Sequence, residues 1–327
     1  MKIDQRNAGA TITPTTAQYS ADKWKCFLTQ PAKYSIQQMA TSSAPGFPNG
    51  LGITSLSAYS VLAADYFLLC QIIEGNNIRD LGWGTANATS VTLSFWVTSS
   101  ITGMYGGSIV NQGGLRSYPF SYTINSASTY ERKTITIPGC PDGTWLVDTG
   151  NGIIIYFGIG VGTTQSGPAD NWASGSYFSC IGATSLVGTN AANMIITGIQ
   201  LEKGSVATDF DYINYNTELL NCQRYCQVIP INGRVMGMAI SLTSGRYIFP
   251  HTTPTRVPIS SITVSGTLNN NTITNGAFTD IFISALTYSD STEIATTLSA
   301  TCISGLTLGQ GSTFKAAAGR IILNADL

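Results

Sequence analysis

The sequence predicts an all-β protein of two antiparallel sandwiches joined by a short helix. Three observations carry this reading: strand-length runs of β-branched and aromatic residues, turn formers at regular intervals between them, and a single stretch with helical spacing. Val91–Thr98 (VTLSFWVT) is rich in β-branched and aromatic residues. Lys133–Pro138 (KTITIP) alternates, with Ile135 and Ile137 on one side and Thr134 and Thr136 on the other. Gly152–Gly160 (GIIIYFGIG) and Met194–Leu201 (MIITGIQL) have strand length. Between the runs lie Gly106-Gly107, Gly113-Gly114, Gly139–Gly143 and Gly162–Pro168. Breakers so spaced mark antiparallel sandwiches rather than βαβ units.

Thr208–Val228 interrupts this pattern. It gathers Asp209, Asp211, Glu218 and Arg224, and Thr217 could cap a helix continued by Leu220 and Arg224. The reading is a first domain over 1–214, a linking helix over 215–228 and a smaller C-terminal β-sandwich over 229–327. In the last, VMGMAISLT, GRYIFP, ISSITVSGTL, DIFISALTY, ATTLSATCI and GRIILNADL are the strand runs. These strands carry few charged gatekeepers, so their edges would need covering, and a homotrimer built on this domain would cover them.

Composition limits the function. Charged residues are 10% of the 327, hydrophobic ones 43%, and there is one His. A chain that buries a real core but carries so few reactive groups is expected to bind or assemble rather than to be an enzyme. A net charge of −1 with 16 scattered basic residues gives no footprint for nucleic acid. Tyr59–Ile73, the most apolar stretch, is interrupted by Asp65 and too short to span a bilayer, so no membrane insertion is expected. The opening MKIDQRNAGATIT lacks a signal peptide's apolar core, which points to synthesis in a cytoplasm. The seven Cys cannot all pair within one chain, and Cys222-x-x-x-Cys226 has no partner cluster, so buried reduced thiols are expected.

Ordered motifs carry a resemblance. Asn7-Ala-Gly-Ala-Thr11, Tyr19-Ser-Ala-Asp-Lys-Trp24, Asp80-Leu-Gly-Trp-Gly-Thr85, Ser94-Phe-Trp-Val97, Ser117-Tyr-Pro-Phe120, Trp172-Ala-Ser-Gly175, Gly198-Ile-Gln-Leu-Glu202 and Cys222-Gln-Arg-Tyr225 follow one another along two thirds of the chain. The set resembles the carbohydrate-binding-module-like jelly roll of tailed-bacteriophage virion proteins, tail fibres among them. The resemblance implies an N-terminal jelly roll and a homotrimeric structural protein on the virion surface, made in the host cytoplasm. Its partners would be phage capsid or tail proteins. Because the jelly roll starts within the first ten residues and no shaft repeat follows, a capsid decoration (cement) protein or compact appendage is favoured. The alternative is a tail-fibre-type receptor-binding protein that recognises host-surface polysaccharide.

Sugar rings stack their C–H faces on aromatic planes while polar neighbours hold the hydroxyls. Trp83, Tyr105, Tyr118 and Trp172 stand in glycine- or polar-flanked stretches and are the expected exposed platform, with Arg116 beside them. Trp24 and Trp96 are expected in the core. Related jelly rolls hold a structural Ca²⁺, for which Glu74, Asp80, Glu202, Asp209 and Asp211 are the oxygen donors at loops and strand ends. Solvated turn carboxylates, or Asp80 paired with Arg79 or Arg116, are the simpler expectation. No cofactor is implied. His251, between two prolines, reads as a turn residue, and no catalytic residue is assigned.

Overall fold

A computed structural model describes residues 1–41, 44–230, 232–264, 271–277, 279–316 and 320–326. The chain forms two compact units, Met1–Ile213 and Asn214–Asp326. Among the described residues the protein is all-β apart from short helical turns and one α-helix.

The first unit is a sandwich of two main antiparallel sheets. One has seven strands in the order Gln18–Ala21, Trp24–Leu28, Tyr66–Glu74, Asn151–Val161, Gly103–Val110, Arg116–Ile124 and Ala173–Ser174. The other has five, in the order Tyr34–Ala40, Asn49–Ser55, Asn193–Lys203, Val91–Ser99 and Glu131–Ile137. Alternation fixes which face each residue takes. Leu51, Ile53, Leu93, Phe95, Val97 and Ile196 of the five-stranded sheet meet Phe67, Leu69, Phe120, Ile155 and Phe157 of the seven-stranded one in a closed core. The seven-stranded sheet is covered on its other face too, where Leu68, Cys70, Val110 and Tyr156 pack under Phe27, Tyr66 and Phe178. Burial on both faces accounts for the apolar run at Tyr66–Ile73.

The second unit opens with the helix Tyr215–Gln223. Its cap is Asn214, whose side chain accepts from the Asn216 amide at 2.9 Å, in place of Thr217. The helix is shorter than the 215–228 span expected. Cys226–Ile229 leaves it as a strand paired with Ile321–Asn324, because the buried Cys226, Gln227 and Ile229 satisfy their backbone there. Ser261–Val264 completes that three-stranded sheet. The end of the ISSITVSGTL run and the first and last residues of GRIILNADL lie outside the described residues.

The remaining strands close a six-stranded barrel in the order Arg234–Ala239, Ser244–Pro250, Ala295–Cys302, Asp280–Ser291, Thr272–Thr274 and Gly311–Lys315. Val235, Tyr247, Ile273, Ile283, Leu298 and Phe314 fill it. Closure differs from the open sandwich expected of this unit. Closure removes the free edges of these six strands, while the three-stranded sheet keeps Cys226–Ile229 and Ser261–Val264 at its edges.

Candidate glycan-binding face

Three of the expected platform residues come together, but inside the protein. Trp83, Tyr118 and Trp172 form one edge-to-face cluster with Trp145, which the sequence reading had left aside. Ring centroids are 4.6 Å apart for Trp83 and Trp145, 5.5 Å for Trp83 and Trp172, and 5.2 Å for Tyr118 and Trp172. Each indole N–H donates to a backbone carbonyl: Trp83 to Thr89 (2.7 Å), Trp145 to Asp142 (3.2 Å) and Trp172 to Pro138 (2.9 Å). Trp83 and Tyr118 are buried, and Trp172 is partly buried against the core. This is a packing motif, with no flat ring face presented to a ligand.

Tyr105 is elsewhere in the core, stacked on Tyr122 at 5.9 Å, its hydroxyl hydrogen-bonded to the Ser99 hydroxyl and the Ile101 carbonyl. Arg116 does flank the indole cluster. Its guanidinium donates to both oxygens of Asp142 (2.6 and 2.5 Å) and to the Ser174 hydroxyl (2.8 Å), and the Asp142 carboxylate raises its pKa further. The expected exposure is therefore corrected for Trp83, Tyr105 and Tyr118, which are buried, while Trp172 keeps part of its surface open.

The carboxylates expected as calcium donors are dispersed. Asp80 pairs with Lys203 at 3.2 Å rather than with Arg79 or Arg116. Glu74 is buried and accepts from Asn76, and Glu202 accepts from the Thr208 amide. Among the described residues no three His, Cys, Asp or Glu side chains gather, and these five carboxylates do not come together.

An open surface lies on the outer face of the five-stranded sheet. Because Leu93, Phe95 and Val97 point inward, Thr92, Ser94, Trp96 and Thr98 point outward. Trp96 is partly exposed and lies between Thr197 and Arg132 on the neighbouring strands. Its expected place in the core is thus corrected.

Beside it runs a groove of about 370 Å³, lined by Ser35, Gln37, Met39, Gly52, Thr54, Asn193 and Ile195 among others. The register explains the grouping: Gln37 and Ile195 flank Gly52, while Ser35 and Asn193 flank Thr54. Glycine shapes the floor. A Cβ on Gly52 would stand 2.2 Å from the Met39 sulfur, so only glycine lets Met39 lie across the strand.

The other half of this face is covered. Residues 205–213 cross it, with Thr136 donating to the Ser205 carbonyl and the Asp211 amide to the Gln200 side chain. Phe47 clamps this strap by packing on Phe210 (4.9 Å) and Tyr212 (5.7 Å). It does so over Gly198, whose φ of +56° and missing side chain make the room. No charged side chain lines the groove.

No protein-family model and no curated sequence matches the chain. Among solved structures it is similar to a family 4 carbohydrate-binding module, at 13% identity over 62% of this chain and 99% of that one, with a TM-score of 0.32. A family 11 carbohydrate-binding module from Clostridium thermocellum, in complex with a β-1,3-1,4-mixed-linked tetrasaccharide, aligns at 12% identity over 59% of this chain and 97% of the module, TM-score 0.30. The enzymatically active domain of bacteriophage CBA120 tailspike protein 4 aligns at 11% identity over 59% of this chain, TM-score 0.34; this chain spans about a fifth (21%) of that one. At these values the likenesses carry no argument about ligand or activity, and the geometry has to supply it.

Proposed function

We propose that the first unit binds an uncharged glycan on the outer face of its five-stranded sheet. The observation that carries this is the charge-free groove itself: the Gln37 and Asn193 amides and the Thr54 hydroxyl stand over an apolar floor of Met39 and Ile195, with Trp96 alongside. Amides and hydroxyls suit sugar hydroxyls, and an apolar floor with a partly open indole suits sugar C–H faces. The residues that line the groove include no carboxylate, His or Cys, which supports a binding role over a catalytic one. Calorimetric titration of the full chain against a panel of neutral polysaccharides tests this. Binding that weakens at least tenfold in both Gln37→Ala and Trp96→Ala supports it. Binding to no member of the panel, or undiminished binding by the double variant, ends it.

A second reading, a phage virion-surface protein of the capsid-decoration or appendage type, is favoured by the second unit. Among the described residues, twelve of the twenty exposed large apolar side chains belong to it, although it is much the smaller unit. Such a surface suits assembly. On this reading hundreds of copies per particle mean decoration, and a few mean a tail appendage with the glycan face as receptor binder. A particle preparation with no copies removes the reading.

A further inference from the structure

The barrel's charges are sorted by side. Its strands and the turn between Asp280–Ser291 and Ala295–Cys302 carry six acidic or basic residues; Arg256, in the loop after Ser244–Pro250, lies next to that turn but gives its guanidinium to the Ala325 and Asp326 carbonyls. The basic ones, Arg234, Arg246 and Lys315, all lie on three adjacent strands, Gly311–Lys315, Arg234–Ala239 and Ser244–Pro250. The acidic ones, Asp280, Asp290 and Glu293, all lie on Asp280–Ser291 or its turn. Counted either way round the closed barrel, Arg234–Ala239 and Asp280–Ser291 are three strands apart, so the two sets occupy opposite sides.

Both sides also expose apolar side chains. On the basic side Arg246 is directly opposite Met238, and Arg234 is opposite Lys315. Met236, between them, is 80% exposed, and Ile248 is 61% exposed. On the acidic side Phe282, two residues after Asp280, is 64% exposed, and Tyr288 stands beside Asp290. Apolar residues this open, ringed by charge of one sign, make an unpartnered interface half.

We infer that copies of this chain associate head to tail through the barrel, the Arg234–Met236–Arg246 side of one against the Asp280–Phe282–Asp290 side of the next. Charge complementarity selects the occupant. Two basic sides face to face would set arginine against arginine, and two acidic sides aspartate against aspartate, whereas unlike sides match. A contact between two different patches is heterologous. It closes into a ring where each step turns enough, and grows otherwise. The assembly is independent of any glycan on the first unit.

Sedimentation of the full chain tests the inference. The unmodified chain should form species larger than a monomer at 20 mM salt and shift toward the monomer at 1 M, where screening is nearly complete at contact range. Arg234→Asp with Arg246→Asp, and separately Asp280→Lys with Asp290→Lys, should each weaken association at least tenfold. An equimolar mixture of the two variants should restore it, because native and swapped contacts then alternate along the assembly. Circular dichroism confirms that each variant is folded, and the salt titration of the unmodified chain stands if one is not. A monomer at 100 µM in low salt, salt-insensitive association, or a mixture that stays monomeric would each overturn the inference.

Discussion

Replacing Trp83 by alanine should damage stability and leave the open groove untouched. Trp83 is 6% exposed and packs edge-on against two indoles while donating to the Thr89 carbonyl. Burying an aromatic of its size removes roughly 150–250 Å² from water, worth about 4–6 kcal/mol at ~25 cal/mol per Å². Large-to-alanine core changes cost about 3–5 kcal/mol after partial relaxation, a range that already contains lost ring contacts, and two edge-to-face pairs put Trp83 at its upper end. A loss of about 4–5 kcal/mol follows. All five tryptophans lie in the first unit, so indole fluorescence reports that unit selectively in the intact chain. With a urea slope of about 2–3 kcal/mol/M, the midpoint should fall by roughly 1.5–2 M. A fall worth less than ~1 kcal/mol, accompanied by lost glycan affinity, would show that Trp83 is the platform and that the packing argument is wrong.

Three further outcomes follow from named contacts. Burial raises the Glu131 pKa, but Lys133 and the amides of Ser126 and Asn125 outweigh it and hold the carboxyl at about 2. The unfolded value is ~4.3, so its contribution, on the order of 2–3 kcal/mol, is present above pH ~4.5 and is lost as pH falls toward 2; Glu131→Gln should flatten acid unfolding over that window. His251 has its pKa lowered by burial, against the Glu293 carbonyl, which raises it. The folded second unit therefore disfavours the charged ring and should lose stability as pH falls below ~6.5, a slope that His251→Gln removes in calorimetry. All seven cysteines are buried and none is in a disulfide, with the Cys26 thiol pushed up to about 11 by burial. A thiol reagent should find almost none in the folded chain and seven after denaturation, and rapid reaction with the folded protein would contradict the core described.

Much of the strand pattern could be read from the sequence because alternation is local. The same alternation located Trp96: with Leu93, Phe95 and Val97 in phase, position 96 must face outward. Hydrophobicity alone misplaced it. Trp83 shows the opposite error. Its glycine neighbours look like loop flexibility, yet a Cβ on Gly84 would lie 2.7 Å from the Gly143 carbonyl and 3.3 Å from Trp145. Those glycines signal two loops in close approach over a buried ring, a distinction that needs the other loop's position. Barrel closure was equally hidden, since it depends on Gly311–Lys315 pairing with strands about 40 and 75 residues earlier in the chain. The groove was missed because its shape comes from Gly52 and Met39 on adjacent strands, and neither residue type announces a ligand.

Scarcity of charge changes what each charge reports. In the first unit Arg116–Asp142, Lys133–Glu131 and Lys203–Asp80 pair with one another, and none of them lines the groove. Within the groove a ligand meets no fixed charge, and Arg132 beside Trp96 turns its guanidinium to the Thr208 carbonyl, so an acidic polysaccharide gains little over a neutral one and hydroxyl geometry against Gln37 and Asn193 must decide selection. The barrel inverts this logic. Among the described residues, no acid stands on the three strands that carry Arg234, Arg246 and Lys315, and long-range attraction is left to be satisfied from outside the unit. Salt should consequently separate the two activities of one chain: glycan affinity should hold nearly constant between 20 mM and 1 M, while association of copies falls. A glycan affinity that dropped in parallel with assembly would mean that the face belongs to the oligomer, formed or presented only where copies meet.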